Sequence, residues 1–273
     1  MKKILATSDF SDNAQPAARY AAHLCHGTSA RLDLLHVHQI TMATGLYGQG
    51  SDFIQRQIRS DMADLIRSLQ QEIGTDLPIH PRILSGGTVQ AIAELAPEYD
   101  LIAMGTRGQN GIERWLLGST TIGVIDQVAQ PVLAIPPRFS YRPPQRLVLA
   151  LDDGGIDQEG MIHPMLEVAR HYQSHVFVVH HGQGQEDNDN IDVDLDIYLE
   201  GLEYSLHYDM SEDSAWESVC TFAEDERADM IVMIRRQRRG LDRWFGSRAT
   251  SQSVHRTTLP LLILQEKSTP KAD

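Results

Sequence analysis

Two stretches of this chain repeat one another in fixed register, and the repetition restricts the fold to a pair of like domains. Asp100-Leu-Ile-Ala-Met104 matches Asp229-Met-Ile-Val-Met233, Gly111-Ile-Glu-Arg-Trp115 matches Gly240-Leu-Asp-Arg-Trp244, and Pro131-Val-Leu-Ala-Ile135 matches Pro260-Leu-Leu-Ile-Leu264. From Asp to Trp is 15 positions and from Asp to Pro is 31 in both halves. Earlier in each half, Ile4-Leu-Ala-Thr-Ser-Asp9 is set against Val148-Leu-Ala-Leu-Asp-Asp153, with 27 positions from Asp9 to His36 and 27 from Asp153 to His180. Self-similarity of this kind marks tandem units. The domains are expected at 1–138 and 145–267, joined by the proline-rich stretch Pro136–Pro144.

Within each half, short runs of Val, Ile and Leu alternate with longer amphipathic patterns, the signature of βαβ units around a parallel sheet. In the first half the pattern predicts strands near Ile4–Thr7, Arg31–Val37, Ile79–Leu84, Leu101–Gly105 and Val132–Ile135. Helices are predicted at Asn13–Cys25, Phe53–Ile73, Val89–Leu95 and Thr121–Val128. The fold class is therefore α/β, with two flavodoxin-like domains, each a five-stranded parallel sheet flanked by helices. Ligands of such sheets lie beyond the strand carboxyl ends, where Asp9, Val37 and Gly105 fall.

The fourth strand runs into Gly105-Thr-Arg-Gly108, and nine residues separate Gly108 from Gly118-Ser119, giving G-x2-G-x9-G-S. Glycines at a strand end let backbone approach a ligand, and a helix start offers unpaired N–H groups to an anion. Ser119, Thr120 and Thr121 add hydroxyls beside them. The same residues are compatible with an ordinary loop in which Ser119 only caps a helix. This spacing resembles the nucleotide-binding signature of the universal stress protein family, and the resemblance extends over nearly all of residues 1–266 in tandem form. It implies an adenine nucleotide α-hydrolase-like fold and bound ATP, with or without magnesium. It also implies that Asp9 contacts the adenine-ribose side, that Val37 offers backbone to the base, and that Gly105, Gly108, Gly118 and Ser119 surround ribose and phosphates with Thr120 behind. Arg107 could pair with phosphate or stand in solvent. Asp9 could instead cap the following helix, although Ser11 or Asp12 is better placed for that.

In the second half, alignment through Trp115 and Trp244 replaces Gly105 by Ile234, Gly108 by Gln237, Gly118 by Ser247 and Ser119 by Arg248. One nucleotide site per chain is expected. Arg235, Arg236, Arg238 and Arg239 suggest either a solvated loop or a local positive field for an anion or acidic partner. Asp152, Asp153, His180, His181 and His207 could converge on a divalent metal, and the acidic run Glu186–Asp196 with Glu203 partly matches a calcium loop but has Ile197 where that loop needs glycine.

A formal charge of −13 argues against nonspecific nucleic-acid binding. The longest apolar runs fall short of the ~20 residues that cross a bilayer. Cys25 and Cys220 lack CxxC partners and suggest neither disulfide framework nor zinc site. A cytoplasmic protein is expected. No Walker loop, nucleophile elbow or His-rich metal motif is present, so slow ATP hydrolysis is the most that is expected. The expected role is a stress-response or regulatory module with an unidentified protein partner. The alternative is a scaffold binding a metal or other ligand through its second half. The two halves are expected to form an intramolecular pseudo-dimer through Val132–Ile135 and Leu261–Leu264, with further homodimerisation possible.

Overall fold

The computed structural model describes residues 1–38, 49–74, 77–106, 117–152, 156, 159–181, 195–209, 215–236 and 258–266. Contacts divide the chain into two compact units. Among the described residues, the first holds 1–106, 117–128 and 135–138, and the second holds 129–134 and those from 139 onward.

The first unit is a parallel sheet in the order β3-β2-β1-β4, built from β1 (Lys3–Thr7), β2 (Arg31–His38), β3 (Ile79–Ser85) and β4 (Leu101–Gly105). Ile4, Leu5 and Ala6 of β1 and Ile102 and Ala103 of β4 are wholly buried, as continuous apolar runs in a parallel sheet should be. Among the described residues, four α-helices accompany the strands: α1 (Gln15–Thr28), α2 (Gln49–Ile73), α3 (Thr88–Leu95) and α4 (Ser119–Gln127). The buried face of α1 is rich in small residues, Ala17, Ala18, Ala21 and Ala22 among them, which lets the helix lie close to β1 and β4. Gly123 of α4 sits so near α3 that a Cβ would come within 3.1 Å of Val89 Cγ2.

The expected cap of α1 is not found. No side chain caps it; the Ser11 carbonyl accepts the N–H groups of Ala14 and Gln15, and Pro16 in the first turn needs no acceptor.

The second unit contains β6 (Arg146–Leu151), β7 (His175–His181), β8 (Glu203–Asp209), β9 (Met230–Arg235) and β10 (Leu261–Gln265) in the parallel order β8-β7-β6-β9-β10, with α5 (Glu159–Tyr172) and α6 (Ala215–Asp225). β5 (Val132–Ile135) runs antiparallel to β10, with Ala134, Leu133 and Val132 facing Leu261, Leu262 and Ile263. These are the two strands that the sequence sets against each other.

Hydrogen bonds fix the repeat register and correct one part of it. Asp100 Oδ2 accepts the N–H groups of Lys2 and Lys3 at 2.6 and 2.9 Å, and Asp229 Oδ2 accepts those of Gln145 and Arg146 at 3.1 and 3.0 Å. Asp100 N–H donates in turn to Lys3 O, and Asp229 N–H to Arg146 O. Lys3 therefore corresponds to Arg146, and the counterpart of Asp9 is Asp152, not Asp153. Because Lys3 pairs with Arg31 and Arg146 with His175, His36 still corresponds to His180, so the second half has gained one residue between its first two strands. The equal spacing of 27 positions conceals that insertion.

A charged cluster absent from the sequence reading holds the amino-terminal side of the first sheet. Asp33 of β2 is 0% exposed and accepts hydrogen bonds from Arg31 Nε (2.6 Å), Tyr99 Oη (2.8 Å) and Arg82 Nε (3.2 Å). Burial pushes its carboxyl upward, but these donors outweigh burial and hold it below the usual carboxylate range. Lys3 lies over the Tyr99 ring and pairs with Glu98. Cys25 and Cys220 are buried on α1 and α6, and burial pushes the Cys25 thiol up to about 12. Among the described residues, no helix is long and apolar enough to cross a membrane.

Candidate functional site

In the first unit the chain crosses over to opposite sides of β1, toward β2 and toward β4, so the sheet opens between the carboxyl ends of β1 and β4. That is where ligands of doubly wound sheets lie. A cleft of about 230 Å³ occupies this place. Asp9 beyond β1, Val37 near the end of β2, Gly105 closing β4, and Gly118, Ser119 and Thr120 at the start of α4 all line it. Six of the eight residues expected at a nucleotide site thus share one cleft. Arg107 and Gly108 lie outside the described residues.

Val37 extends past Leu35, the last residue of β2 that pairs with β1. Gly118 is the N-cap of α4, and its N–H donates to Thr106 O at 2.9 Å. Its backbone is ordinary, with φ −57°, so left-handed freedom is not the reason for glycine. The reason is space: a Cβ would sit 2.7 Å from Thr106 O. The first intrahelical bond of α4 is Ile122 N–H to Gly118 O, so the N–H groups of Ser119, Thr120 and Thr121 precede the helix's own acceptors. Together with the helix dipole they form an anion-attracting end at the cleft. Ser119 and Thr120 are exposed there. Thr121 is turned inward and donates to Gly105 O at 3.1 Å, so its hydroxyl ties α4 to β4 instead of facing a ligand. The buried Thr106 hydroxyl, also at the cleft, has no hydrogen-bond partner among the described residues.

Asp9 does not cap α1. Its Oδ1 accepts Ser11 N–H at 3.0 Å and the Ser11 hydroxyl at 2.5 Å, while Phe10 N–H donates to Ser8 Oγ at 3.0 Å. These bonds hold Phe10 at φ 63°, an unusual conformation for an aromatic residue. His36, a residue that the sequence reading did not place at the site, supports the turn. Its Nδ1 is 2.9 Å from Ser8 O, and its ring stacks on Phe10 with centroids 4.3 Å apart. Burial pushes the His36 pKa down, against the opposing effect of the Ser8 carbonyl. The neutral ring therefore carries its proton on Nδ1, because a carbonyl can only accept. The alternation Leu35-His-Val-His38 was the available signal, since it places His36 and His38 on one face of β2.

The second unit is different at the equivalent place. Asp152, counterpart of Asp9, is buried and bound by Arg236 Nε at 2.9 Å. Arg235 Nη1 donates to Gln265 Oε1 at 3.4 Å. The expectation of a solvated or field-forming loop is thus corrected for Arg235 and Arg236, whose guanidiniums are committed within the unit. Arg238 and Arg239 lie outside the described residues, as do Trp244, Ser247 and Arg248. The metal expectation fares no better: a guanidinium on Asp152 disfavours a cation, His207 Nε2 lies 3.0 Å from Ser205 Oγ, and the described residues hold no group of three potential ligands. Asp153 and the His181 side chain lie outside what is described. Glu203, the last ligand of the calcium loop considered, opens strand β8.

Comparison with known proteins agrees with the fold. The family model described as "Universal stress protein family" matches residues 1–136 and 144–265. A universal stress protein of Methanocaldococcus jannaschii is 31% identical over 140 residues, covering 49% of this chain and 81% of its own length. The crystal structure of a universal stress protein from Archaeoglobus fulgidus superposes with a TM-score of 0.72 at 18% identity, covering 96% of this chain and 98% of that one. A structure from Pseudomonas aeruginosa gives 0.60 at 17% identity, over 97% and 93% of the two chains. At these identities, the structural likeness concerns the fold alone.

Proposed function

Because the chain belongs to the universal stress protein family, we propose that its first unit binds one adenine nucleotide, ATP, and that its second unit binds none. The observation that supports this most is the cleft at the start of α4, where Gly118 lets the helix start lie against Thr106 O, a contact with no room for a Cβ, and three leading N–H groups await an anion. The donor set fits a phosphate: backbone N–H groups, the Ser119 and Thr120 hydroxyls, and Thr106 as a buried hydroxyl seeking a partner. Asp9 would accept from ribose hydroxyls, and the Val37 backbone would meet the base. Asp9 is the one carboxylate at the cleft among the described residues, so a magnesium ion would be held chiefly by the phosphates it accompanies.

Nucleotide occupancy would tune conformation or the capture of a protein partner, as a stress-response module requires, without fast turnover. Mass spectrometry of ligand released from freshly purified, denatured protein should detect an adenine nucleotide. Calorimetry on the emptied protein should give one site per chain; two equivalent sites would remove the distinction between the units. Phosphate release at ordinary enzyme rates, about 1 s⁻¹ or faster, would replace the binding module by an ATPase.

A further inference from the structure

We infer that the strand-end site of the second unit is filled from within, with the Arg236 guanidinium as its resident ligand. This filling is independent of what the first unit binds. The Asp100 and Asp229 clamps equate Asp9 with Asp152. The same register equates Arg236 with Arg107, the second residue after Gly105 in the first half. The two aspartates occupy corresponding positions just beyond their first strands but meet different surroundings. Asp9 lines an open cleft, whereas Asp152 is 5% exposed and Arg236 is 8% exposed.

The pair is built as a binding site. Arg236 Nε meets Asp152 Oδ1 at 2.9 Å, and its Nη1 lies 3.9 Å from Glu266 Oε1. Glu266 is positioned by its own backbone, whose N–H donates to Arg235 O at 3.1 Å at the close of the β9–β10 pairing. Two carboxylates from different segments thus flank one planar cation, the arrangement that suits a guanidinium better than an ammonium. The chemistry is the inverse of the first unit, where a helix start and hydroxyls face a space suited to an anion. Arg236 is therefore a specificity-determining residue. It fixes the second site as one for a guanidinium and supplies that guanidinium from the chain itself.

The test uses the full chain. Arg236→Ala leaves Asp152 buried without its cation, and the Tm should fall by roughly 6–15 °C. Millimolar methylguanidinium should recover most of the loss by binding the vacated space, and methylammonium chloride at the same ionic strength should not. In Arg236→Ala combined with Asp152→Asn, the recovery should disappear. An unchanged Tm in Arg236→Ala, equal recovery by methylammonium, or recovery that survives Asp152→Asn would overturn the inference. If Arg236→Ala cannot be purified, a cycle of Arg236→Lys and Asp152→Asn carries the test. The double variant should lose less than the sum of the single losses, and additive losses would refute the pairing. Nucleotide retained per chain is measured in the same samples and should not change, which separates this result from failure of the proposed nucleotide site.

Discussion

Gly118→Val should weaken ATP binding on the order of 100-fold or more, equivalent to about 2.7 kcal/mol. The branched side chain would begin 2.7 Å from Thr106 O, a backbone atom that cannot swing aside as a side-chain tip can. Relief of that contact must separate Gly118 from Thr106 and break the 2.9 Å N–H···O bond that fixes the start of α4 against the end of β4. The N–H groups proposed to hold the phosphates would move with it. Some loss of stability should accompany the change, about 1–3 kcal/mol as for other overpacked sites. Gly123→Ala is the comparison that isolates the effect. It lies in the same helix, and its new methyl would meet the Val89 side chain, its two methyls at 3.1 and 3.4 Å, and no backbone atom nearer. Calorimetry should find Gly123→Ala near wild-type affinity and Gly118→Val without measurable binding. Equal affinities for the two variants would refute the role given to Gly118.

A second large effect, on stability, is expected at Asp33. Asp33→Asn removes the charge that Arg31 and Arg82 surround, and should cost about 2–3 kcal/mol at neutral pH, less than a fully buried pair because both arginines are partly in water. The pH dependence has a definite sign. The folded carboxyl titrates below its ordinary range, so its contribution is complete above the unfolded carboxylate value near 4 and is lost as pH falls through the lower folded value. The stability difference between wild type and Asp33→Asn should therefore be constant from neutral pH down to about 5 and shrink in stronger acid. Denaturant titrations at several pH values would show it. A difference that grows on acidification would mean that the carboxyl is not stabilised in its charged form.

The two effects also show which features a sequence exposes. Strand and helix order was legible because each depends on local periodicity: the apolar runs of β1 and β4 and the small-residue face of α1 need no distant partner to be recognised. The cleft was legible for a related reason, since Gly105, Gly118, Ser119 and Thr120 fall at element ends that periodicity already marks. Asp33 was not legible. It interrupts an apolar strand, and its partners Arg82 and Tyr99 come from positions 49 and 66 residues away. Arg236 resembled a surface residue because four other charged or polar side chains surround it in sequence, while the carboxylate that buries it stands 84 residues earlier. The repeat register failed by one residue for a different reason. Two successive aspartates, Asp152 and Asp153, offer a choice that spacing resolves one way and backbone hydrogen bonding the other.

The antiparallel ladder between β5 and β10 bears on how this chain can be divided. A cut in the proline-rich stretch after Arg138 separates the two sequence repeats cleanly on paper, yet it places Val132–Ala134 on one fragment and their partners Leu261–Ile263 on the other. Each fragment would then present a row of open N–H and C=O groups flanked by Val, Leu and Ile, the kind of edge that recruits a second strand from whatever chain is nearby. Fragments made at that boundary should precipitate or pair with themselves, and should become soluble when expressed together. The covalent link also fixes their ratio. Every copy of the first repeat is synthesised with one copy of the second, so no fluctuation in expression can leave either strand without its complement.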